Sequence, residues 1–386
     1  MEEFEHLITQ RARSIDASGI RKVFDLAASV SDPINLSIGQ PHFPVPEPIQ
    51  RAASDAVVND RNGYTVTQGL AELLEAVREP FDARFARDGR WGDYGALITS
   101  GVSGGLTLAL MTCVEPGDEV LIPDPYFVMY KHLVRMAGGT PVFVDTYPDF
   151  RMTAERVEPL ITERTKMILV SSPSNPTGVV LGDEAWSALV SVAEKHNVLL
   201  VSDEIYDAFC YEPVASPVGL VCPSPAAYSD RVLVLRGFSK TYGMTGWRLG
   251  YAMGPRPIVD QMTKLQQYTF VCAPSVVQHA GLAAMQVDMS EYVAAYRRKR
   301  DMVMEMLGEQ FTITKPGGAF YAFVGVPDGV TGTAFAERAI ERKVLTIPGC
   351  VFSERDTHLR LSFACDDATL NRGLEALVSV AGEVGK

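Results

Sequence analysis

"KMILVSSPSNPTGVVLGDEAWSALVSVAEKHNVLLVSD", residues 166–203, decides the fold. Two short apolar, β-branched runs stand at its ends. Between them lie a turn rich in proline, serine and asparagine and then a stretch, "EAWSALVSVAEKHN", with apolar residues at helical spacing. Strand, helix, strand is the unit of a parallel sheet, because parallel neighbours need a long crossover. The same pattern recurs outward in both directions. Further strand-like runs are "ALITS" (96–100), "EVLIP" (119–123), "TPVFVD" (140–145) and "RVLVLRG" (231–237). Most are separated by helical stretches such as "GGLTLALMTCV", "YFVMYKHLVRMAG" and "AERVEPLIT". Strands that are apolar on both faces predict a mostly parallel sheet between helices, hence an α/β protein. In such sheets ligands bind beyond the carboxyl ends of the strands.

The chain has 386 residues, 47% of them hydrophobic, which allows a large core. At about 150 residues per domain it predicts two or three domains. A helical run over 276–309 reads as a bridge to a second unit. That unit has strand-like runs at 311–324, 344–349 and 358–364 and ends in a helix. The stretch "INLSIGQPHFPVPEP" is too rich in proline for regular structure. The expected division is an N-terminal segment (1–45) packing with the smaller unit, a large domain (46–275), and a connecting helix with a C-terminal small domain (276–386).

Acidic residues outnumber basic ones, 47 to 35, giving a formal net charge of −12. Such a surface argues against nucleic acid as a partner. The start, "MEEFEHLITQ", has no signal pattern, and no apolar run approaches the ~20 residues of a membrane span. A soluble, cytoplasmic protein without a membrane partner is expected. The six cysteines (113, 210, 222, 272, 350 and 365) form no C-x-x-C pair, and the six histidines form no paired motif. No metal site is expected.

Chemistry gathers at the predicted strand ends. "LITSGVSGGLTLAL" is strand, glycine-rich turn, helix. Free amides at Val102 and Ser103 make either an anion site or an ordinary strand–helix turn. In "SSPSNPTG", Asn175 sits before a proline, as in many turns, with its amide free to cross the strand ends. Asp203 and Glu204 end an apolar run, where a bare carboxylate is costly. One of them therefore has a cationic partner or reaches water. In "RGFSKTYGMTGWRLGY" (236–251), Lys240 follows a buried strand. Desolvation there favours a neutral, nucleophilic amine. Arg248 offers a planar fork for a phosphate. With Tyr206 added, the set fits a cofactor bearing an aldehyde, a phosphate, a ring nitrogen and a ring hydroxyl.

From "SGIRKVFDLA" to "HLRLSFA", the chain resembles the class I/II aminotransferases, pyridoxal-phosphate enzymes of the aspartate aminotransferase fold (fold type I). The matching pieces include "NLSIGQPHFPVP", "GYTVTQGLAELLEAV", "PGDEVLIPDPYF", "SNPTG", "SDEIY", "SKTYGMTGWRLGY", "GGAFYAF" and "RLSFA". The resemblance implies a large domain with a mostly parallel seven-stranded sheet and a smaller α+β domain. It makes Lys240 the cofactor-bearing lysine and places Asp203 on the ring nitrogen. Tyr206 and Asn175 would bind the ring hydroxyl, and Phe127 would stack on the ring. Val102, Ser103 and Arg248 would hold the phosphate, with Tyr64 reaching it from a second copy in a homodimer. Arg360 would take the substrate α-carboxylate, helped by Asn175 and the Gly39 backbone. Two departures stand out. Gly237 occupies the place of a phosphate-binding serine, leaving Ser239 as a substitute. "KLQQYTFVCAPS" lacks the arginine that reads a distal carboxylate in the dicarboxylate-specific subgroup.

The implied activity is amino transfer from an L-amino acid (aspartate, aromatic or similar) to a 2-oxo acid such as 2-oxoglutarate, with ping-pong kinetics. A β-lyase of cystathionine or cysteine-conjugate type is the enzymatic alternative on the same fold. A non-catalytic regulator that binds pyridoxal phosphate is the alternative of another class.

Overall fold

The computed structural model describes residues 2–16, 19, 31–87 and 89–384. Of the motif "SGIRKVFDLA" (18–27), all but Gly19 lies outside these described residues. Seven strands build the main sheet: Tyr94–Thr99 (β1), Glu119–Asp124 (β2), Thr140–Asp145 (β3), Thr165–Ser171 (β4), Leu199–Asp203 (β5), Val232–Gly237 (β6) and Gly250–Pro255 (β7). Their spatial order is β1-β7-β6-β5-β4-β2-β3. The pairs β2·β3, β2·β4, β4·β5 and β5·β6 are parallel, and β7 runs antiparallel to both β1 and β6. The interior strands are apolar on both faces because helices cover both. Every residue of the interior strand β2 is buried, as is every residue of the edge strand β1. Each fully buried Val, Leu or Ile side chain stabilises this arrangement by about 1.5–3 kcal/mol.

Among the helices that matter here are Gly101–Cys113 (α1), Met129–Ala137 (α2), Asp183–Lys195 (α3), Phe238–Thr241 (α4), Ser275–Ala284 (α5) and Ser290–Leu307 (α6). The stretch 276–309, read as one long helix, is two. Asp288 accepts the Ser290 amide and hydroxyl at 2.9 Å each, supplying partners at the start of α6 and breaking the run after α5.

A second, antiparallel sheet joins Thr312–Ile313 (β8), Tyr321–Gly325 (β9), Ile347–Pro348 (β10) and His358–Ser362 (β11) in the order β8-β9-β11-β10. The run 311–324 is therefore not one strand. Pro316 has no amide to donate and Ala319 has a positive φ of 56°, so the chain turns there. The run 344–349 also splits. Val344–Leu345 pairs in parallel with Ile34–Asn35, while Ile347–Pro348 joins β11. In the main sheet, β7 is absent from the strand-like runs of the sequence. It lies in "GYAMGP", bounded by glycine and proline, where composition speaks against a strand. Glycine is needed there for space. A Cβ on Gly250 would stand 2.8 Å from the Gly101 carbonyl carbon and from the Val102 nitrogen.

No helix among the described residues is long and apolar enough to cross a membrane. Among the same residues, no group of three His, Cys, Asp or Glu side chains is placed to hold a metal ion.

Candidate active site

A cavity of about 400 Å³ opens beyond the carboxyl ends of β1, β4, β5 and β6. Of the residues given a catalytic, cofactor or substrate role from sequence, all line it except Tyr64. Tyr64 is 86% exposed and lies outside the cavity of its own chain.

The anion end is built at the β1–α1 turn. Gly101 has φ +70°, and a Cβ there would sit 2.5 Å from Arg248 Nη2, so only glycine lets the guanidinium approach. Arg248 Nη2 donates to Ser103 Oγ at 2.6 Å, and Nη1 donates to the Thr245 carbonyl at 2.9 Å. First-turn amides of α1 have no helical carbonyl to bond and carry the positive end of the helix dipole. Amides, a hydroxyl and a guanidinium thus converge on one spot. Ser239 is buried and lines the same cavity.

At the end of β5 the two acids part company. Glu204 faces away from the cavity and is the ion-paired one. Its Oε2 accepts from Arg236 Nε at 2.9 Å and Nη2 at 2.7 Å, and its Oε1 accepts from the hydroxyls of Ser202 and Ser224. Asp203 faces the cavity. Its Oδ2 accepts from the Tyr130 hydroxyl at 2.7 Å and its Oδ1 from the Ile205 amide at 3.2 Å. Burial pushes its carboxyl up to about 6. Tyr206 follows on the same segment, its hydroxyl 2.9 Å from that of Tyr321, and burial raises its pKa well above the usual phenol value.

Lys240 enters from α4, right after β6. Its Nζ donates to the Gly39 carbonyl at 2.6 Å and lies 5.8 Å from the centre of the Tyr206 ring. Burial, and then the nearby cations of Arg360 and Arg248, bring the amine down from 10.5 to about 8. Below about 8 the amine is protonated and inert, and above it the amine is neutral and reactive. In the apoprotein, coupling of a small aldehyde to Lys240 should therefore accelerate with pH through a midpoint near 8. A midpoint near 10.5, read by mass spectrometry of the trapped peptide, would mean a solvated amine.

Arg360 projects from β11, held on both sides by β9 and β10. It is 1% exposed, between the rings of Tyr321 and Phe352, each centre 4.6 Å from its guanidinium carbon. Nη1 donates to Asn175 Oδ1 at 3.1 Å, Nη2 to the Ser37 carbonyl at 2.7 Å, and Nε has no partner. Burial lowers its pKa. Among the described residues no carboxylate pairs with it. A buried cation with an idle donor is costly to keep unless an anion visits.

Tyr130 and Tyr321 also line the cavity and are additions to the residues named from sequence. "DPYFVMY" and "GGAFYAF" contain them, but nothing local marks them. Their partners lie 73 and 115 positions away.

The sequence profile of the family described as aminotransferase class I and II matches residues 31–377. The chain belongs to that family. This aminotransferase is 36% identical over 378 residues to a probable aspartate aminotransferase of Methanocaldococcus jannaschii, covering 95% of this chain and 98% of that one. It is 34% identical to aromatic-amino-acid aminotransferase 2 of Thermococcus litoralis, covering 97% and 98%. The solved aspartate aminotransferase of Thermus thermophilus with maleate superposes with a TM-score of 0.88 at 32% identity, over 97% and 99% of the two chains. The aminotransferase is thus a transferase of the aspartate aminotransferase fold. These likenesses do not favour the β-lyase alternative.

Proposed function

We propose that this aminotransferase binds pyridoxal 5'-phosphate in the 400 Å³ cavity and exchanges an amino group between an L-amino acid and a 2-oxo acid such as 2-oxoglutarate. One observation carries the reading. A lysine amine held near pKa 8, a buried acid and a buried arginine without an acidic partner face one cavity, with an anion cradle at its rim. The donor set suits the group: a cradle for a phosphate, an acid for a ring nitrogen, a phenol and an amide for a ring hydroxyl, an amine for an aldehyde.

When bound, the cofactor supplies an aldehyde for the amino group and a ring that accepts the electron pair left by the α-proton. Lys240 holds the cofactor through its Nζ. With the cofactor joined to the substrate amine, the free Nζ would take the α-proton as a general base and deliver it to the carbon that carried the aldehyde. Asp203 holds a proton at the ring nitrogen, which keeps the ring electron-poor. Tyr206 and Asn175 bind the ring hydroxyl, and Phe127 faces the ring. Val102, Ser103, Ser239 and Arg248 hold the phosphate. Arg360 takes the substrate α-carboxylate, with Asn175 and the backbone of Gly39 beside it. Tyr64 serves the phosphate of a second copy in a homodimer. Exchange in two half-reactions implies ping-pong kinetics. Also part of the proposal are a division near residues 45 and 275 and a cytoplasmic location. On that division, substrate bound to Arg360 draws the smaller unit toward Lys240 and excludes water.

Three cations line the cavity, Lys240, Arg248 and Arg360, and each has a task in this scheme. None is left in the described part of this chain to read a distal carboxylate. With 2-oxoglutarate as acceptor, a donor panel ranked by kcat/KM should place aromatic or aliphatic donors ahead of aspartate. Aspartate in first place would mean that a cation from a second copy, or from outside the described residues, completes the site. Pyruvate and ammonia from a cysteine conjugate, without any acceptor, would instead overturn amino transfer in favour of the β-lyase.

A further inference from the structure

Tyr130 enters the cavity from α2, an element that carries none of the residues discussed for the chemistry. Its ring is 1% exposed and Asp203 is 3% exposed. The Phe127 ring packs on it in a T shape, centres 5.7 Å apart at 84°. The hydroxyl has an acceptor in Asp203 Oδ2 at 2.7 Å. Asp203 Oδ1 accepts the Ile205 amide. One protein donor therefore sits on each carboxylate oxygen, and the group cannot rotate without losing both.

We propose that Tyr130 is a positioning residue for the reaction: by donating to Asp203 Oδ2 it fixes the carboxylate toward the cavity and keeps it ionised. This rests on the reading of Asp203 as the acid that faces the cofactor ring nitrogen. The ionised state is what that task requires, since a neutral acid cannot hold a proton on a ring nitrogen by charge.

The surroundings make the donor necessary. Burial is the largest influence on Asp203 and favours the protonated acid; Glu204, the next residue, pushes the same way. Tyr130, the Ile205 amide and Lys240 push the other way. Tyr206 also faces Asp203, and Ser171 pairs with it across β4·β5. The Ser171 hydroxyl donates to the Pro173 carbonyl at 3.3 Å. Glu204 is neutralised by Arg236, so its repulsion is blunted. Removing Tyr130's proton donor leaves the Ile205 amide as the only direct hydrogen bond to the carboxylate.

Tyr130→Phe keeps the ring and its packing and deletes only the hydroxyl. The test is the titration of Asp203 in apoprotein labelled with 13C at the aspartate carboxyls, the signal being assigned by its loss in Asp203→Asn. A hydrogen bond to a charged group of ordinary strength corresponds to an upward shift of about one to two pH units in the variant. The acid limb of kcat/KM in the reconstituted enzyme should move upward with it, while the far-UV circular dichroism stays unchanged. Failure of either quantity to move overturns the role of Tyr130. Asp203→Asn separates the two levels of the argument. If that variant turns over at a near-normal rate, the reading of Asp203 itself fails. If it is inactive while Tyr130→Phe titrates like the parent, only the role of Tyr130 fails.

Discussion

Replacing Lys240 by alanine should lower kcat by more than about 10⁴-fold, the upper end of what a general base contributes. Two tasks fall on this one amine, holding the cofactor and moving the α-proton, so the loss should exceed that of a base alone. The fold should survive. Lys240 sits on a short helix at the cavity wall, and its Nζ has a single hydrogen bond, to the Gly39 carbonyl. Deleting a partly desolvated cation relieves a cost as well as removing a contact. Steady-state rates with a good donor, beside a thermal melt, check both halves. Near-normal turnover in a folded Lys240→Ala protein would remove the amine from the reaction.

Arg360→Leu should lower kcat/KM for amino acids by about 10²–10³-fold, within the 2–5 kcal/mol typical of truncating one partner of a buried charge pair. The substrate α-carboxylate supplies the missing anion of a guanidinium whose hydrogen-bond acceptors are Asn175 Oδ1 and the Ser37 carbonyl. Arg360→Lys should not restore the rate, because an ammonium lacks the planar fork. The loss should be shared by all amino acids, since each carries an α-carboxylate. A loss confined to dicarboxylic donors would assign Arg360 to the distal group instead.

Much of this was legible from the sequence, for reasons that are local. Apolar, β-branched runs between helical stretches announce a parallel sheet, and six of its seven strands stand in the positions read from pattern. A lysine after one such run, and an acid at the end of another, announce themselves because charge at a buried strand end needs a reason. The seventh strand escaped because Gly250 and Pro255 bound it, and its place depends on close backbone approach to Gly101 rather than on propensity. Helical periodicity over 276–309 hid the break at Asp288, whose carboxylate bonds to Ser290 two residues on, a local turn that no periodicity registers. Which of Asp203 and Glu204 is ion-paired was open in the sequence, since strand alternation puts neighbours on opposite faces but does not say which face holds Arg236. Tyr130 and Tyr321 were invisible for a different reason. Their hydroxyls matter only through partners brought near by the sheet topology.

The central claim is that the amine at position 240 carries the cofactor. The most direct measurement is to load the purified protein with pyridoxal 5'-phosphate, reduce it with borohydride, digest it and locate the phosphopyridoxyl group by mass spectrometry. The account predicts one modified lysine per chain, Lys240. A protein that takes up no label, or that carries it on another lysine while Lys240 stays free, would contradict it.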